Sequence, residues 1–206
     1  MRILVTAGPT REHIDAVRFI TNASSGRMGY AVAAAAARAG HEVTLLTGPV
    51  ALPIPEGCDG VPFVSVEDLK RELDRRCADC DALVMAAAVG DFRPEAKVAG
   101  KIPRRGGPIT LRLAPTEDVL AAVAASKRPG QIVVAFSVEE GPPAEIEAKA
   151  QEEMAAKSAD YVVVNTPAAM AAKQSEACIL SRSGPVLPWA RRTKSQLADE
   201  IVKLLV

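Results

Sequence analysis

The sequence SSGRMGYAVAAAAARAGHEVTLLTGP, residues 24–49, contains a helix followed by a strand. The alanine-rich run of residues 25–39 predicts a helix that ends at Gly40. Residues 42–47 predict a buried strand that closes at Gly48, and the apolar run of residues 3–7 predicts the strand before the helix. A strand, a helix and a second strand in this order are the repeating unit of a parallel sheet.

The same alternation continues through the rest of the chain. Apolar runs predict further strands at residues 82–87, 109–113, 132–136 and 161–164. Helical patterns follow at residues 66–77, 117–126, 144–157 and 194–205. Loops are predicted at residues 49–62 and 91–108, and a hairpin at residues 177–187 around the turn at 183–184. We therefore expect an α/β fold with a Rossmann-like, doubly wound, mostly parallel sheet, a C-terminal β-hairpin and a closing helix.

Length and charge limit the functional classes. The chain has 206 residues, within the range of one domain, so we expect a single domain over residues 1–206. Its 25 acidic and 25 basic residues balance, so no global field attracts nucleic acid or a membrane surface. We find no signal peptide and no apolar stretch long enough to span a bilayer, and we expect a cytoplasmic protein.

Two of the four cysteines, Cys77 and Cys80, form a C-x-x-C pattern, which occurs in redox and metal sites. They lie in a predicted helix, and the only histidines are His13 and His41. Structural zinc normally needs four ligands, so reduced thiols of a cytosolic protein are the favoured interpretation.

In doubly wound sheets, ligands bind beyond the carboxyl ends of the strands. The residues that directly follow predicted strands are therefore candidates, namely 7–10, Gly48, 87–91, 136–140 and Asn165.

A long polar segment separates the first strand from its helix. At the helix start, Ser24 and Gly26 would expose backbone N–H groups to an anion, and Gly26 and Gly29 would let the chain approach phosphate oxygens. Arg18 and Arg27 would add charge-assisted hydrogen bonds. The alternative is a capped helix behind a surface loop. The position of the segment at the ligand-binding edge favours a phosphate site.

A nicotinamide-binding fold would place an acidic residue at the end of the second strand, to bind the ribose hydroxyls. That strand ends in Leu46-Thr47-Gly48-Pro49, without a carboxylate. A nicotinamide oxidoreductase is therefore disfavoured.

Residues 6–12 (TAGPTRE), 14–22 (IDAVRFITN) and 24–29 (SSGRMG) resemble phosphopantothenoylcysteine synthetase, the ligase half of the bifunctional coenzyme A biosynthesis protein. The resemblance continues at residues 86–92, 101–102, 116–119, 136 and 157–165, and covers nearly the whole chain in order. It implies a ligase that joins 4′-phosphopantothenate to cysteine. The bacterial family uses CTP with magnesium: the substrate carboxylate attacks the α-phosphate to give an acyl-cytidylate, and the cysteine amine then displaces CMP.

The resemblance also implies the site residues. Asn22 would hold the acyl-cytidylate, Arg18 would support the same step, and Ala88 would contact the substrate. Nucleotide-binding residues are expected to be Ser24, Gly26, Met28, Met85, Ala86, Ala87, Asp91, Lys101, Thr116, Glu117, Asp118, Val119, Phe136 and Lys157. Magnesium would bind through the phosphates, and a homodimer is expected. FMN is not expected, because the flavin-dependent decarboxylase half is absent.

The loop of residues 91–108 carries the cations Arg93, Lys97, Lys101, Arg104 and Arg105. The resemblance implies a flap that closes over the phosphates with Lys101, and the alternative is a solvated basic loop.

The sequence departs from the family pattern where the nucleotide is expected. Residues 101–104 read KIPR in place of K-x-K-K, so Pro103 replaces a lysine. Glu153 stands four residues before Lys157, where the family has a second lysine. ATP is therefore possible in place of CTP. A catalytically impaired nucleotide-binding paralogue with a regulatory role is the alternative function.

Overall fold

The computed structural model describes residues 1–104, 107–169, 172 and 174–205, so Arg105 and Gly106 of the predicted flap lie outside the described residues. The strands are β1 (Arg2–Ala7), β2 (Arg11–His13), β3 (Phe19–Thr21), β4 (Glu42–Thr47), β5 (Cys58–Pro62), β6 (Ala82–Met85), β7 (Phe92–Pro94), β8 (Leu113–Pro115), β9 (Ile132–Val138), β10 (Tyr161–Asn165), β11 (Gln174–Ser181) and β12 (Gly184–Thr193). The α-helices are α1 (Arg27–Arg38), α2 (Val66–Arg76), α3 (Val119–Ala124), α4 (Pro143–Ala156) and α5 (Lys194–Lys203).

Within these ranges, eight strands form one sheet in the order β12-β11-β10-β9-β6-β1-β4-β5. All neighbours are parallel except β10 with β11 and β11 with β12, which form the C-terminal antiparallel part. The chain winds outward from β1 to β5 and then crosses back to β6 on the other side of β1. This reversal opens a crevice at the carboxyl ends of β1 and β6. The predicted doubly wound, mostly parallel sheet with a hairpin and a closing helix is confirmed.

Helices cover both faces of the sheet. Leu83 packs with α2, α3 and α4, whereas the next residue, Val84, packs with α1 and α5. Because successive strand residues point to opposite faces, the same alternation shows on which face of the sheet each side chain at a strand end lies. Phe136 and Asn165 therefore lie on the α1/α5 face, and Ser137 lies on the α3/α4 face.

Several local predictions are wrong. Residues 49–62 are not all loop, because β5 pairs with β4 at the sheet edge. The predicted loop at 91–108 begins with β7, and the strand predicted at 109–113 is instead β8, which pairs with β7 outside the main sheet. The polar segment after β1 contains the small hairpin of β2 and β3. These strands have only three to five residues each. β5, β7 and β8 pair with strands across long connections, whereas β2 and β3 pair across a short turn.

The first helix begins at Arg27 rather than at residue 25. Its N-cap, Gly26, has a φ of +74°, a left-handed conformation that glycine adopts readily. Gly29 serves packing rather than phosphate approach, because a Cβ there would lie 2.5 Å from the Cβ of Ala7. The absence of a side chain at residue 29 thus lets α1 lie directly against β1. None of the helices in the described ranges combines the length and apolar character needed to cross a membrane.

Candidate active site

A cavity of about 760 Å³ opens at the carboxyl ends of β6, β9 and β10, beside the reversal of strand order. It brings together most of the residues predicted from the sequence. The predicted residues that line it are Asn22, Ser24, Gly26, Met28, Met85, Ala86, Ala87, Ala88, Asp91, Thr116, Glu117, Asp118, Val119, Phe136 and Lys157.

Two predicted residues, Arg18 and Lys101, do not line this cavity. Arg18 lies in the turn between β2 and β3, and its guanidinium donates to the carbonyl oxygen of Ile102 at 2.9 Å. Lys101, the neighbour of Ile102, is exposed. The fold therefore brings Arg18 and the Lys101 segment together, but outside the cavity of their own chain.

Asp15 links Arg18 to the segment that contains Lys101 and Ile102. Its buried carboxylate accepts hydrogen bonds from the Arg18 side chain and from the N–H groups of Val17 at 2.8 Å and Ile102 at 3.1 Å. The Arg18 side chain, helped by the main-chain N–H groups, holds the pKa of Asp15 well below its usual range. Main-chain bonds from Val98 to Ile14 and from Ala16 to Gly100 extend the contact. The middle of the predicted flap is thus attached to the β2–β3 turn.

Asn22 joins the end of β3 to the loop after β6. Its side-chain nitrogen donates to the carbonyl oxygens of Ala88 at 3.2 Å and Val89 at 3.0 Å. The same loop is held by Thr10, whose hydroxyl accepts from the N–H of Gly90 at 2.9 Å. A ligand can therefore accept a hydrogen bond from Asn22 only by replacing one of these contacts.

The N-terminus of α1 faces the cavity without a side-chain cap. The Ser24 hydroxyl accepts from the N–H of Gly26 at 3.3 Å, and no side chain caps the helix. Gly26, Arg27 and Met28 line the cavity. Since the first N–H groups of a helix have no partner within the helix, this end of the cavity offers donors and the positive end of the helix dipole.

The opposite wall, formed by α3, α4 and the end of β9, is rich in carboxylates. Asp118 caps α3 through the N–H of Ala121 at 3.0 Å, and its second oxygen lies 3.5 Å from the Lys157 ammonium. Glu139 pairs with Lys149 at 2.6 Å. Glu117 and Glu153 also line this wall. The cavity thus has a donor side at α1 and an acceptor side at α3 and α4.

Asn165 and Lys194 extend the set of lining residues. The position of Asn165 at the ligand-binding edge was predicted from topology, because it ends a parallel strand. The sequence contained no comparable signal for Lys194, which begins α5 and reaches the sheet edge only because the β11–β12 hairpin returns the chain there.

The C-x-x-C cysteines lie away from the cavity. Both thiols are buried, and the side-chain nitrogen of Gln131 donates to the carbonyl oxygens of Cys77 at 2.7 Å and Cys80 at 2.9 Å. Among the residues that the structure describes, no group of three or more His, Cys, Asp or Glu side chains forms a metal cluster.

A family model described as the DNA/pantothenate metabolism flavoprotein C-terminal domain matches residues 1–206. The coenzyme A biosynthesis bifunctional protein CoaBC of Mycobacterium tuberculosis is 37% identical over 100% of this chain and 52% of its own length. A cysteine/cysteine sulfinic acid decarboxylase from an unknown prokaryotic organism is 35% identical over 100% of this chain and 58% of its own length. The chain therefore spans about half the length of these curated relatives.

The solved C-terminal domain of a CoaBC protein superimposes with a TM-score of 0.81 at 32% identity. The superposition covers 99% of this chain and 93% of that domain. The likeness therefore extends over nearly the whole solved domain.

Proposed function

The chain belongs to the family of the DNA/pantothenate metabolism flavoprotein C-terminal domain, and on that premise we propose that it joins 4′-phosphopantothenate to cysteine in coenzyme A biosynthesis. The observation that carries the proposal is the cavity. Predicted site residues from several separate segments of the chain line one space at the carboxyl edge of the sheet. The similarity to CoaBC proteins over the full chain supports the same assignment.

In the proposed reaction, a carboxylate oxygen of 4′-phosphopantothenate bonds to the α-phosphorus of a nucleoside triphosphate, and the bond to pyrophosphate breaks. The cysteine amine then bonds to the acyl carbon of this acyl-nucleotidylate. The nucleoside monophosphate leaves with the former carboxylate oxygen, and the amine proton goes to solvent. Both steps depend more on neutralising phosphate charge than on proton transfer. The N-terminus of α1 and Arg27 supply that neutralisation.

We propose that the nucleotide lies across the sheet edge, with its phosphates at α1. The charge distribution supports this orientation, because donors occupy the α1 side and carboxylates the α3/α4 side. Asp118 and Glu117 can accept hydrogen bonds from ribose hydroxyls or from the amine of a base. CTP is the first choice of nucleotide from the family resemblance, and ATP is the second.

Magnesium would accompany the triphosphate. The Asp91 carboxylate, at the cavity edge, makes no hydrogen bond or ion pair with any residue in the described ranges, so it is available to a magnesium ion or its water ligands. Bound there, the ion would neutralise charge on the phosphates. No cluster of protein ligands is needed for an ion held mainly by phosphate oxygens.

A catalytically impaired nucleotide-binding paralogue is the second candidate. Glu153 favours it, because this carboxylate lines the cavity four residues from Lys157. A carboxylate in the cavity repels the negative charge of a bound triphosphate, even from the wall opposite α1.

We further propose that residues 1–206 act as one ligase unit and that two copies form a homodimer. Large apolar side chains around the β7–β8 ribbon support an interface. Phe92 is 54% exposed, Ile109 63% and Leu113 46%. Light scattering coupled to size-exclusion chromatography measures the mass, and a monomer at micromolar concentration contradicts the dimer.

A nucleotide panel tests the function. Purified protein is mixed with magnesium, 4′-phosphopantothenate and CTP, ATP, GTP or UTP, and pyrophosphate release is followed before and after cysteine is added. The ligase requires pyrophosphate release that depends on 4′-phosphopantothenate, and monophosphate release that depends on cysteine. Nucleotide binding by calorimetry without either release identifies the paralogue instead. A protein that shows no nucleotide binding and no turnover contradicts both the ligase and the paralogue.

A further inference from the structure

Lys194 enters the cavity from a part of the chain that the family resemblance does not assign. It is the first residue of α5, and its ammonium lies 3.4 Å from the hydroxyl of Ser175, a buried residue near the start of β11. Burial, and then the positive charge of Arg27, lower the pKa of Lys194. Arg27 is the first residue of α1, which packs beside α5 on the same face of the sheet. Two helices therefore bring two cations to one side of the cavity.

Asn165 lies on this same side, as strand alternation from Val163 requires. Its side chain lines the cavity, and only 8% of the residue is exposed. The carboxamide oxygen is buried and accepts no hydrogen bond from the described residues. A buried acceptor without a donor is destabilising. A ligand whose binding turns this oxygen towards the cavity and supplies an O–H or N–H group removes that cost.

The uncapped N-terminus of α1 completes the arrangement. The N–H groups of its first turn face the space that Arg27 and Lys194 border. Cations and unpaired N–H groups together select phosphate oxygens. The Asn165 oxygen selects for a donor on the molecule that carries the phosphate.

We propose that Lys194, Arg27 and Asn165 form a subsite for a phosphate group whose carrier also bears a hydroxyl or amide donor. The phosphate oxygens accept from Lys194, Arg27 and the first turn of α1, and the carrier donates to the Asn165 oxygen. The inference rests on the proposed function and extends it to residues not assigned before. Both the nucleotide and 4′-phosphopantothenate have this chemistry, and the experiment separates them.

Calorimetric titration of the full chain with inorganic pyrophosphate, inorganic phosphate, CTP and 4′-phosphopantothenate tests Lys194 directly. Lys194→Met should weaken binding by about tenfold, the effect of one hydrogen bond to a charged group, and Lys194→Arg should restore most of it. The control is Lys203→Met, at the other end of α5, where the side chain is 68% exposed and its ammonium pairs with Glu200. Weaker binding of pyrophosphate and CTP identifies the nucleotide as the ligand of the subsite. Weaker binding of phosphate and 4′-phosphopantothenate identifies the acid substrate as that ligand. Unchanged affinity for all four ligands overturns the subsite, as does a loss that Lys203→Met shares.

The Asn165→Val variant tests whether Asn165 contacts the carrier rather than the phosphate group. It should weaken the organic ligand that Lys194→Met weakens by about fivefold, the effect of one neutral hydrogen bond. It should leave inorganic pyrophosphate and phosphate unaffected, because neither has a carrier hydroxyl. An equal loss for inorganic and organic ligands, or no loss for either organic ligand, contradicts the role of Asn165.

The outcome for the subsite is distinguishable from that for the proposed function. Anion titration requires no turnover. If the wild-type protein has no ligase activity but its pyrophosphate binding depends on Lys194, the subsite is supported and the proposed function is contradicted. If the wild-type protein is active and its Lys194→Met variant has the same KM for both phosphorylated substrates, the proposed function is supported and the subsite is contradicted.

Discussion

The guanidinium of Arg18 donates to the main-chain carbonyl of Ile102 at 2.9 Å, although 84 positions separate the two residues in sequence. The buried carboxylate of Asp15 binds both partners, since it accepts from the Arg18 side chain and from the Ile102 N–H. Arg18 therefore has a structural role in this chain, besides any contact with substrate, because it holds the middle of the predicted flap.

Substituting Asp15→Asn should release that segment. One carboxylate oxygen of Asp15 accepts from both the Arg18 guanidinium and the Ile102 N–H, so an amide nitrogen in its place leaves both donors without that partner. An amide nitrogen in place of the other oxygen instead faces the main-chain N–H groups of Val17 and Arg18. Hydrogen exchange measured by mass spectrometry or NMR should become faster at Val98 and Ile102. Asp59→Asn, at an exposed position of β5, serves as the control and should not change it. Unchanged exchange at Ile102 in the Asp15 variant would show that other contacts hold the segment.

The stability of the protein should decrease in acid because of the same carboxylate. The folded-state pKa of Asp15 lies well below its ordinary value of about 4. Its contribution is therefore complete above that ordinary value and is lost as the pH falls towards the folded-state pKa. Unfolding midpoints measured between pH 7 and pH 2 should fall more steeply for the wild type than for Asp15→Asn. Parallel curves would contradict this.

Asn22→Asp should impair the ligase more than Asn22→Ala. The carboxylate would face the carbonyl oxygens of Ala88 and Val89, which now accept from the amide. Repulsion there adds to the loss of a donor, and losing one positioned donor alone costs about 10²-fold in rate. Pyrophosphate release and CMP release are measured separately, and we expect the second to be the more impaired. Normal turnover in both variants would remove Asn22 from the mechanism.

Reversing the charge at Glu153 should strengthen nucleotide binding. Glu153→Lys restores the cation that the family resemblance implies beside Lys157, and one exposed charge contact of about 1 kcal/mol corresponds to about a fivefold lower KM for CTP. Glu152→Lys makes the same charge change at a neighbouring exposed residue that does not line the cavity. Equal effects of the two variants would indicate general electrostatics rather than a contact.

Asp160→Ala should destabilise the fold without changing KM. This carboxylate accepts from the Lys127 ammonium at 2.6 Å and from the N–H of Val133 at 2.7 Å. It precedes β10, at the sheet edge opposite the cavity. Loss of these bonds should cost about 1–3 kcal/mol in denaturant unfolding. The control Asp199→Ala removes an exposed pair with Arg38 and should cost much less. A raised KM for CTP would show that Asp160 acts on the site.

The sequence predicted the sheet and the position of the cavity, because both depend on strong local signals. Apolar runs such as residues 3–7 identify buried strands, and strand order then directs ligands to the carboxyl edge. It did not predict β5, β7 or β8, since three to five residues pair only when a distant partner is present. It also did not predict that Arg18 and Lys101 lie outside the cavity. That arrangement depends on Asp15 and on contacts between segments more than eighty positions apart.

Gly29 has a consequence for binding kinetics and for sequence variation. With no room for a side chain between α1 and β1, the helix cannot shift relative to the sheet without losing that contact. The N–H groups at its start are therefore already held in place, and the anion binding proposed there would require little loss of conformational entropy. Position 29 is thus intolerant of substitution, because any side chain there would separate α1 from β1.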